Sequence, residues 1–148
     1  MTELYTTDEI MGQLVSRCIY NKLPPLDSTR AQILLYYIRN QFMSELGTVD
    51  FEENIYAMSR GPRVNSVRKN LSRFKGPIPY EELRIIYPRI KGFETSISAL
   101  IYRVVDPTGD MSNKILLTLA NRQKPYQKAL LSKTKIVRPE DTAKFFCR

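Results

Sequence analysis

Histidine is absent from this 148-residue sequence, and that absence alone removes much chemistry. Ser-His and Cys-His nucleophilic arrangements cannot be assembled, and the commonest general base is missing. Only two cysteines occur, Cys18 and Cys147, far apart in the chain. Neither a disulfide framework nor a zinc site is expected, and reduced thiols are the default. The six glycines are scattered. No stretch matches Gly-x-x-x-x-Gly-Lys or Gly-x-Gly-x-x-Gly, so a phosphate-cradling loop of either kind is not expected. Long apolar runs are also missing, because the longest, residues 33–38, is far too short to span a bilayer. The chain opens with Glu3, Asp8 and Glu9 in place of a basic, then apolar, signal region, so the expectation is a cytoplasmic protein without membrane association. The adjacent carboxylates Glu52-Glu53 and Glu81-Glu82 diverge by about 100° on a helix and point to opposite faces of a strand. They read as solvated surface, and neither enzymatic activity nor a cofactor or metal is expected.

What is present suits one compact domain: 43% of the residues are hydrophobic, enough for a single substantial core. The net charge of +8 is distributed unevenly. Through Met58 there are four basic and eight acidic residues; from Ser59 onward there are nineteen basic and seven acidic. Two stretches without any carboxylate hold most of the excess. One carries Arg60, Arg63, Arg68, Lys69, Arg73 and Lys75, the other Arg122, Lys124, Lys128, Lys133, Lys135 and Arg138.

The stretch 29–74 organises the chain. In residues 29–46, Ile33, Leu34, Tyr37, Ile38 and Phe42 recur at spacings of three and four and define one face of a helix. Ser28 or Asp27 is placed to cap it, and Gly47 follows its last apolar residue. Residues 51–59 predict a short strand around Ile55, Tyr56 and Met58. Gly61 and Pro62 then read as the step from strand to a second helix, with Val64, Val67, Leu71 and Phe74 on its inner side and Arg68, Lys69 and Arg73 outward. Before this stretch, a helix capped by Thr7 reaches about Asn21, with Ile10, Leu14 and Ile19 among its apolar positions, and Pro24-Pro25 connects it onward. After it, a short helix over 80–86, a helix over 94–105 ended by Asp106-Pro107-Thr108-Gly109, and a helix capped by Ser112 or Asp110 are expected. The last of these turns Ile115, Leu116 and Leu119 inward. A helical turn from Lys124 to Leu131, a second strand at 135–137 and a closing helix over 141–147 complete the pattern. Tyr36 and Tyr37 read as core residues with hydroxyls left at the surface, although a pair of tyrosines also suits stacking on bases.

At these residues the chain resembles the Panacea domain family, the SocA-like antitoxins. The resemblance rests on Gln32-Ile33-Leu34-Leu35-Tyr36-Tyr37, an extended segment containing Ala57, then Gly61-Pro62-Arg63-Val64 and Val67. It extends to Tyr5-Thr6-Thr7-Asp8-Glu9-Ile10 and to the tail with Lys124-Pro125-Tyr126, and so covers residues 1–148 as one such domain. Arg63, Asn121 and Tyr126 stand where the family commonly has valine, histidine and tryptophan. The resemblance implies a non-enzymatic domain that neutralises a toxin encoded beside it by direct contact, or delivers that toxin to a protease.

The fold class expected is mainly α (α+β): one compact helical domain of about six to eight helices with two short β-strands. Leu34, Tyr36, Tyr37, Gly61, Pro62, Val64 and Val67 form its structural signature. The candidate partner surface is Arg60, Arg63, Arg68, Lys69 and Arg73, with Tyr126 and Lys128 as a second set, suited to an acidic protein partner. Two other uses of the scaffold remain open: a phage or mobile-element inhibitor of a host defence complex, and a basic nucleic-acid-binding regulator. The basic excess also favours weak, non-specific nucleic-acid binding.

Overall fold

Helix α2 (Ser28–Leu46) is the element against which most of the others pack, and its sequence explains why. Apolar residues occur on both sides of it: Ile33, Leu34, Ile38 and Phe42 on the expected face, and Leu35 and Tyr36 on the opposite one, all buried. A helix buried nearly all round belongs at the centre of a layer. Asp27 caps it, its carboxylate accepting from the Arg30 amide at 2.6 Å, and Gly47 ends it in the left-handed conformation at φ 70°. The computed structural model describes residues 4–147, so Glu3 lies outside the described residues.

The remaining helices are α1 (Thr7–Tyr20), α3 (Asn65–Asn70), α4 (Tyr80–Ile86), α5 (Thr95–Thr108), α6 (Asn113–Asn121), α7 (Lys124–Leu131) and α8 (Pro139–Phe146). With the antiparallel pair β1 (Tyr56–Met58) and β2 (Gly61–Arg63), the described residues form a mainly helical fold of eight helices and one two-stranded sheet, as expected. None of these helices is long and apolar enough to cross a membrane.

Several boundaries differ from the sequence reading. Thr6, not Thr7, caps α1: its hydroxyl accepts from the Glu9 amide and the Glu9 carboxylate accepts from the Thr6 amide. Thr7 instead donates its hydroxyl to Glu53 at 2.8 Å. Ile19 is partly exposed, outside the buried face of α1. The second strand is Gly61–Arg63, not residues 135–137, which contribute one bridge, Ile136 to Tyr56. Gly61 and Pro62 therefore close a hairpin whose two-residue tip is Ser59-Arg60, and α3 begins three residues later than expected. Pro62 is tolerated in this strand because its partner Ala57 donates its amide to the Lys135 carbonyl at 2.7 Å, so the Ala57–Pro62 pair needs no donor from proline. Gly61 is favoured by its φ of 127°, and a Cβ there would also displace the Leu117 methyl 2.8 Å away. Leu71 and Phe74 lie beyond α3, which stops at Asn70.

Helix α5 runs through Pro107 to Thr108 instead of breaking at Asp106. Pro107 falls in its last turn and forfeits one backbone bond to the turn before it. Neighbouring side chains hold that turn. Arg17 grips Asp106 through two hydrogen bonds of 2.8 and 2.9 Å, Asn21 adds a third, and Arg30 donates to the carbonyls of Thr108 and Met111.

A polar segment ties three helices together. Arg39 in α2 is 3% exposed and donates to Asp50 at 3.1 Å and to the carbonyls of Phe51 and Glu53 at 2.7 and 2.9 Å, with its guanidinium over the Phe51 ring. Glu53 is not the solvated carboxylate expected: it accepts from Thr7 of α1 and from both the amide and the hydroxyl of Ser66, capping the start of α3. Burial pushes the Asp50 carboxyl above its ordinary value, and Arg39 opposes that shift.

Replacing Arg39 by leucine is expected to cost about 3–5 kcal/mol in urea unfolding, since it strands a buried carboxylate. Without Arg39 the folded-state pKa of Asp50 lies well above its unfolded value of about 3.9. The loss is then smallest near that pH and grows as the pH rises. A loss that does not vary with pH would show that Asp50 is not buried as described.

Candidate functional site

The hairpin tip and α3 bring Arg60, Arg63, Arg68 and Lys69 of the first basic stretch together, whereas Arg73, beyond the end of α3, lines neither of the hollows described below. Glu53 fixes the amino end of α3, and Val67 anchors it at full burial, so Arg68 and Lys69 point outward. Gln32 of α2 accepts from the Val64 amide at 2.9 Å and donates to Ser28, locking the link between hairpin and helix.

Between these elements lie two adjoining hollows that share Ser28 and Arg68. One, of about 340 Å³, is lined by Arg60, Arg63, Arg68, Thr29 and Gln32 among others; the second, of about 600 Å³, runs along Asn65, Arg68, Lys69 and Phe74. Among the described residues, Arg60, Arg63, Arg68 and Lys69 have no carboxylate within ion-pair distance. Arg73 alone of the five is paired, weakly, with Glu82 at 3.4 Å. Arg63 is half-buried, its guanidinium 5.5 Å from the centre of the Tyr56 ring and its Nε shielded without a hydrogen-bond partner. The arrangement can receive carboxylates or other anions, since several guanidinium groups present unspent donors to one concave surface. Ser28, Thr29 and Gln32 share this surface although nothing in the local sequence marks them, because they reach it only when α2 docks beside the hairpin.

The second candidate set does not hold together. Tyr126 is fully buried, its ring edge-on to Tyr36 at 5.3 Å and its hydroxyl donating to the Met58 carbonyl at 2.7 Å. It is a structural link between α7 and β1, not a contact residue. Lys128 is exposed and paired with Asp141 at 2.9 Å, on the opposite side of α7. The signature residues Leu34, Tyr36, Gly61, Pro62, Val64 and Val67 are buried, and Tyr37 is half-buried. Neither tyrosine hydroxyl of α2 is left at the surface: Tyr36 donates to Gln123, and Tyr37 donates to the Leu116 carbonyl at 2.5 Å. Helix α6 also differs from its expected orientation. Only Leu116 of the three named residues turns inward, while Ile115 and Leu119 are 51% and 40% exposed.

No family model matches the chain, and no match was found among curated proteins or solved structures.

Burial pushes the phenols of Tyr37 and Tyr87 up to about 12, and it shifts those of Tyr36, Tyr80 and Tyr126 upward as well. Because the folded values exceed the unfolded value of about 10, this stabilisation is complete below that pH and is lost as the pH rises through the folded values. Tyrosinate absorbance from these five rings is expected to rise steeply, together with loss of helical circular dichroism. Smooth ionisation of these five tyrosines in a folded chain would refute the packing. Tyr126→Phe should cost about 1 kcal/mol of stability, the value of one internal hydrogen bond.

Proposed function

We propose that this chain is a protein-binding domain of the antitoxin kind, acting in the cytoplasm by contact and without catalysis. On this reading it holds an acidic surface of a toxin encoded beside it against Arg60, Arg63, Arg68, Lys69 and Arg73. The observation that carries the reading is the convergence of four cations without carboxylate partners on one braced, concave face. Surface arginines and lysines in a globular domain are commonly interspersed with acids, and a face kept free of them attracts and orients an acidic partner. Bracing by Glu53, Gln32 and Val67 lowers the ordering cost on association. The Panacea resemblance supplies the class of partner, a toxin.

Co-expression with the protein encoded by the adjacent reading frame tests this directly. Restored growth together with co-purification at moderate salt is expected. Rescue without a complex, or a harmless neighbour, would defeat it. Arg68→Glu with Arg73→Glu should weaken the complex by on the order of tenfold or more, chiefly through slower association. Both side chains are exposed, so folding is preserved. An unchanged affinity would remove this face from the interface. Tight binding to duplex DNA, falling steeply with salt, would transfer the basic face to nucleic acid.

A further inference from the structure

Lys124, Lys128 and Leu131 follow one another along α7 at spacings of four and three, so they share its outer face. The inner face, with Tyr126 and Ala129, is buried. Opposite the outer face, α8 contributes Asp141, Lys144 and Phe145, and the two helices enclose an open groove of about 690 Å³ floored in part by Pro125. Leu131 is 89% exposed, and Phe145 is half-buried with its ring edge-on to Phe146. An exposed leucine is ordinary by itself. Here it lies in a concavity with an aromatic ring and a proline, and amines rim both walls. Among the described residues the only carboxylate lining the groove, Asp141, is engaged by Lys128 at 2.9 Å. Lys124 and Lys144, one on each wall, have no ion pair among the described residues.

We propose that the groove between α7 and α8 docks an acidic amphipathic helix of a partner protein. Its apolar stripe seats on Leu131 and Phe145, and its flanking carboxylates meet Lys124 and Lys144. The charge pattern selects this occupant. A helix with acids on either side of an apolar stripe places negative charge against both walls at once, which is the helix-in-groove mode of recognition. A fatty acid carries its charge at one end and favours an enclosed channel, whereas this groove is open with cations on both sides. The surface is separate from the hairpin hollows, with which it shares no lining residue. It therefore stands or falls independently of the toxin-binding reading.

The probe is a fluorescein-labelled synthetic peptide of four helical turns, with leucines at helical spacing flanked by glutamates, and a scrambled peptide of equal composition. Fluorescence anisotropy is expected to show the designed peptide binding about tenfold more tightly than the scrambled one. A loss of about tenfold is expected for Leu131→Asp and again for Lys124→Glu with Lys144→Glu. All three positions are exposed, and thermal melting checks that each variant folds. Arg68→Glu with Arg73→Glu should leave peptide affinity unchanged. Equal binding of the scrambled peptide, no binding of the designed one, or indifference to Leu131→Asp would each overturn the proposal. So would a shift of the peptide's affinity on reversing Arg68 and Arg73, which would move it to the hairpin. Displacement of the peptide by laurate at equal or lower concentration would reassign the groove to an amphipathic lipid.

Discussion

The buried pairing of Arg39 with Asp50 is the constraint on which the arrangement around α2 depends. Two charged groups at 3% and 0% exposure are costly to remove from water, and their mutual attraction does not by itself recover that cost. The additional hydrogen bonds from Arg39 to the Phe51 and Glu53 carbonyls, and from the Phe51 amide to Asp50, make the group tolerable. An apolar replacement of both partners would bury as much surface but would not dictate the path of residues 50–54. That path matters because it delivers the Glu53 carboxylate to Thr7 and Ser66, joining α1 and α3. The pair therefore contributes geometry more than net stability.

The same logic extends along α2. Gln32 reaches the hairpin junction, Tyr36 and Asn40 reach Gln123, and Tyr37 reaches the carbonyl of Leu116. These polar side chains of α2 address three neighbours, the hairpin junction, Gln123 before α7, and α6. Apolar contact is non-directional and would permit several packings of short helices on a central one, whereas these directed bonds select one. The hairpin is held from both sides, by Gln32 at Val64 and by the exchange of bonds between residues 55–57 and 135–137. Its tip, with Arg60, is positioned by the core and not by its own two-residue turn.

Much of this architecture was legible because it rests on local periodicity. Helices α2, α4, α7 and α8 fall within a few residues of where apolar spacing and proline place them. The errors arise where tertiary bonds override local propensity. Asp106-Pro107 reads as a break until Arg17, Asn21 and Arg30 are seen to hold the turn. Glu53 reads as solvated until Ser66 is brought beside it, and Gly61-Pro62 reads as the start of a helix until Ala57 gives its amide to Lys135. Within the candidate surface, Arg68 and Lys69 were legible from helical phase, whereas Tyr126 was misread because one aromatic in a basic stretch resembles a contact residue as closely as a core one. Ile115 and Leu119 followed the apolar pattern of α6 but lie on the side that no neighbouring element covers.

The two basic stretches, far apart in sequence, converge on β1. The first continues from it through the hairpin, and the second reaches it through the Tyr126 hydroxyl at Met58 and the bridge of Ile136 to Tyr56. Their charges are used differently. In the second stretch Lys128 and Arg138 are paired with Asp141 and Glu140, and Lys135 donates to the Leu130 carbonyl. In the first, five of the six named cations, all but Arg73, keep no carboxylate partner among the described residues. A hollow lined by unpaired guanidinium groups acts mainly on encounter, through a long-range field that salt screens. A groove lined by Leu131, Phe145 and Pro125, occupied as proposed, acts on residence through apolar burial that salt does not weaken. On the two proposals taken together, one small domain carries a steering surface and a retaining surface that share no lining residue. A partner long enough to engage both would gain the advantage of linked binding events without further contacts.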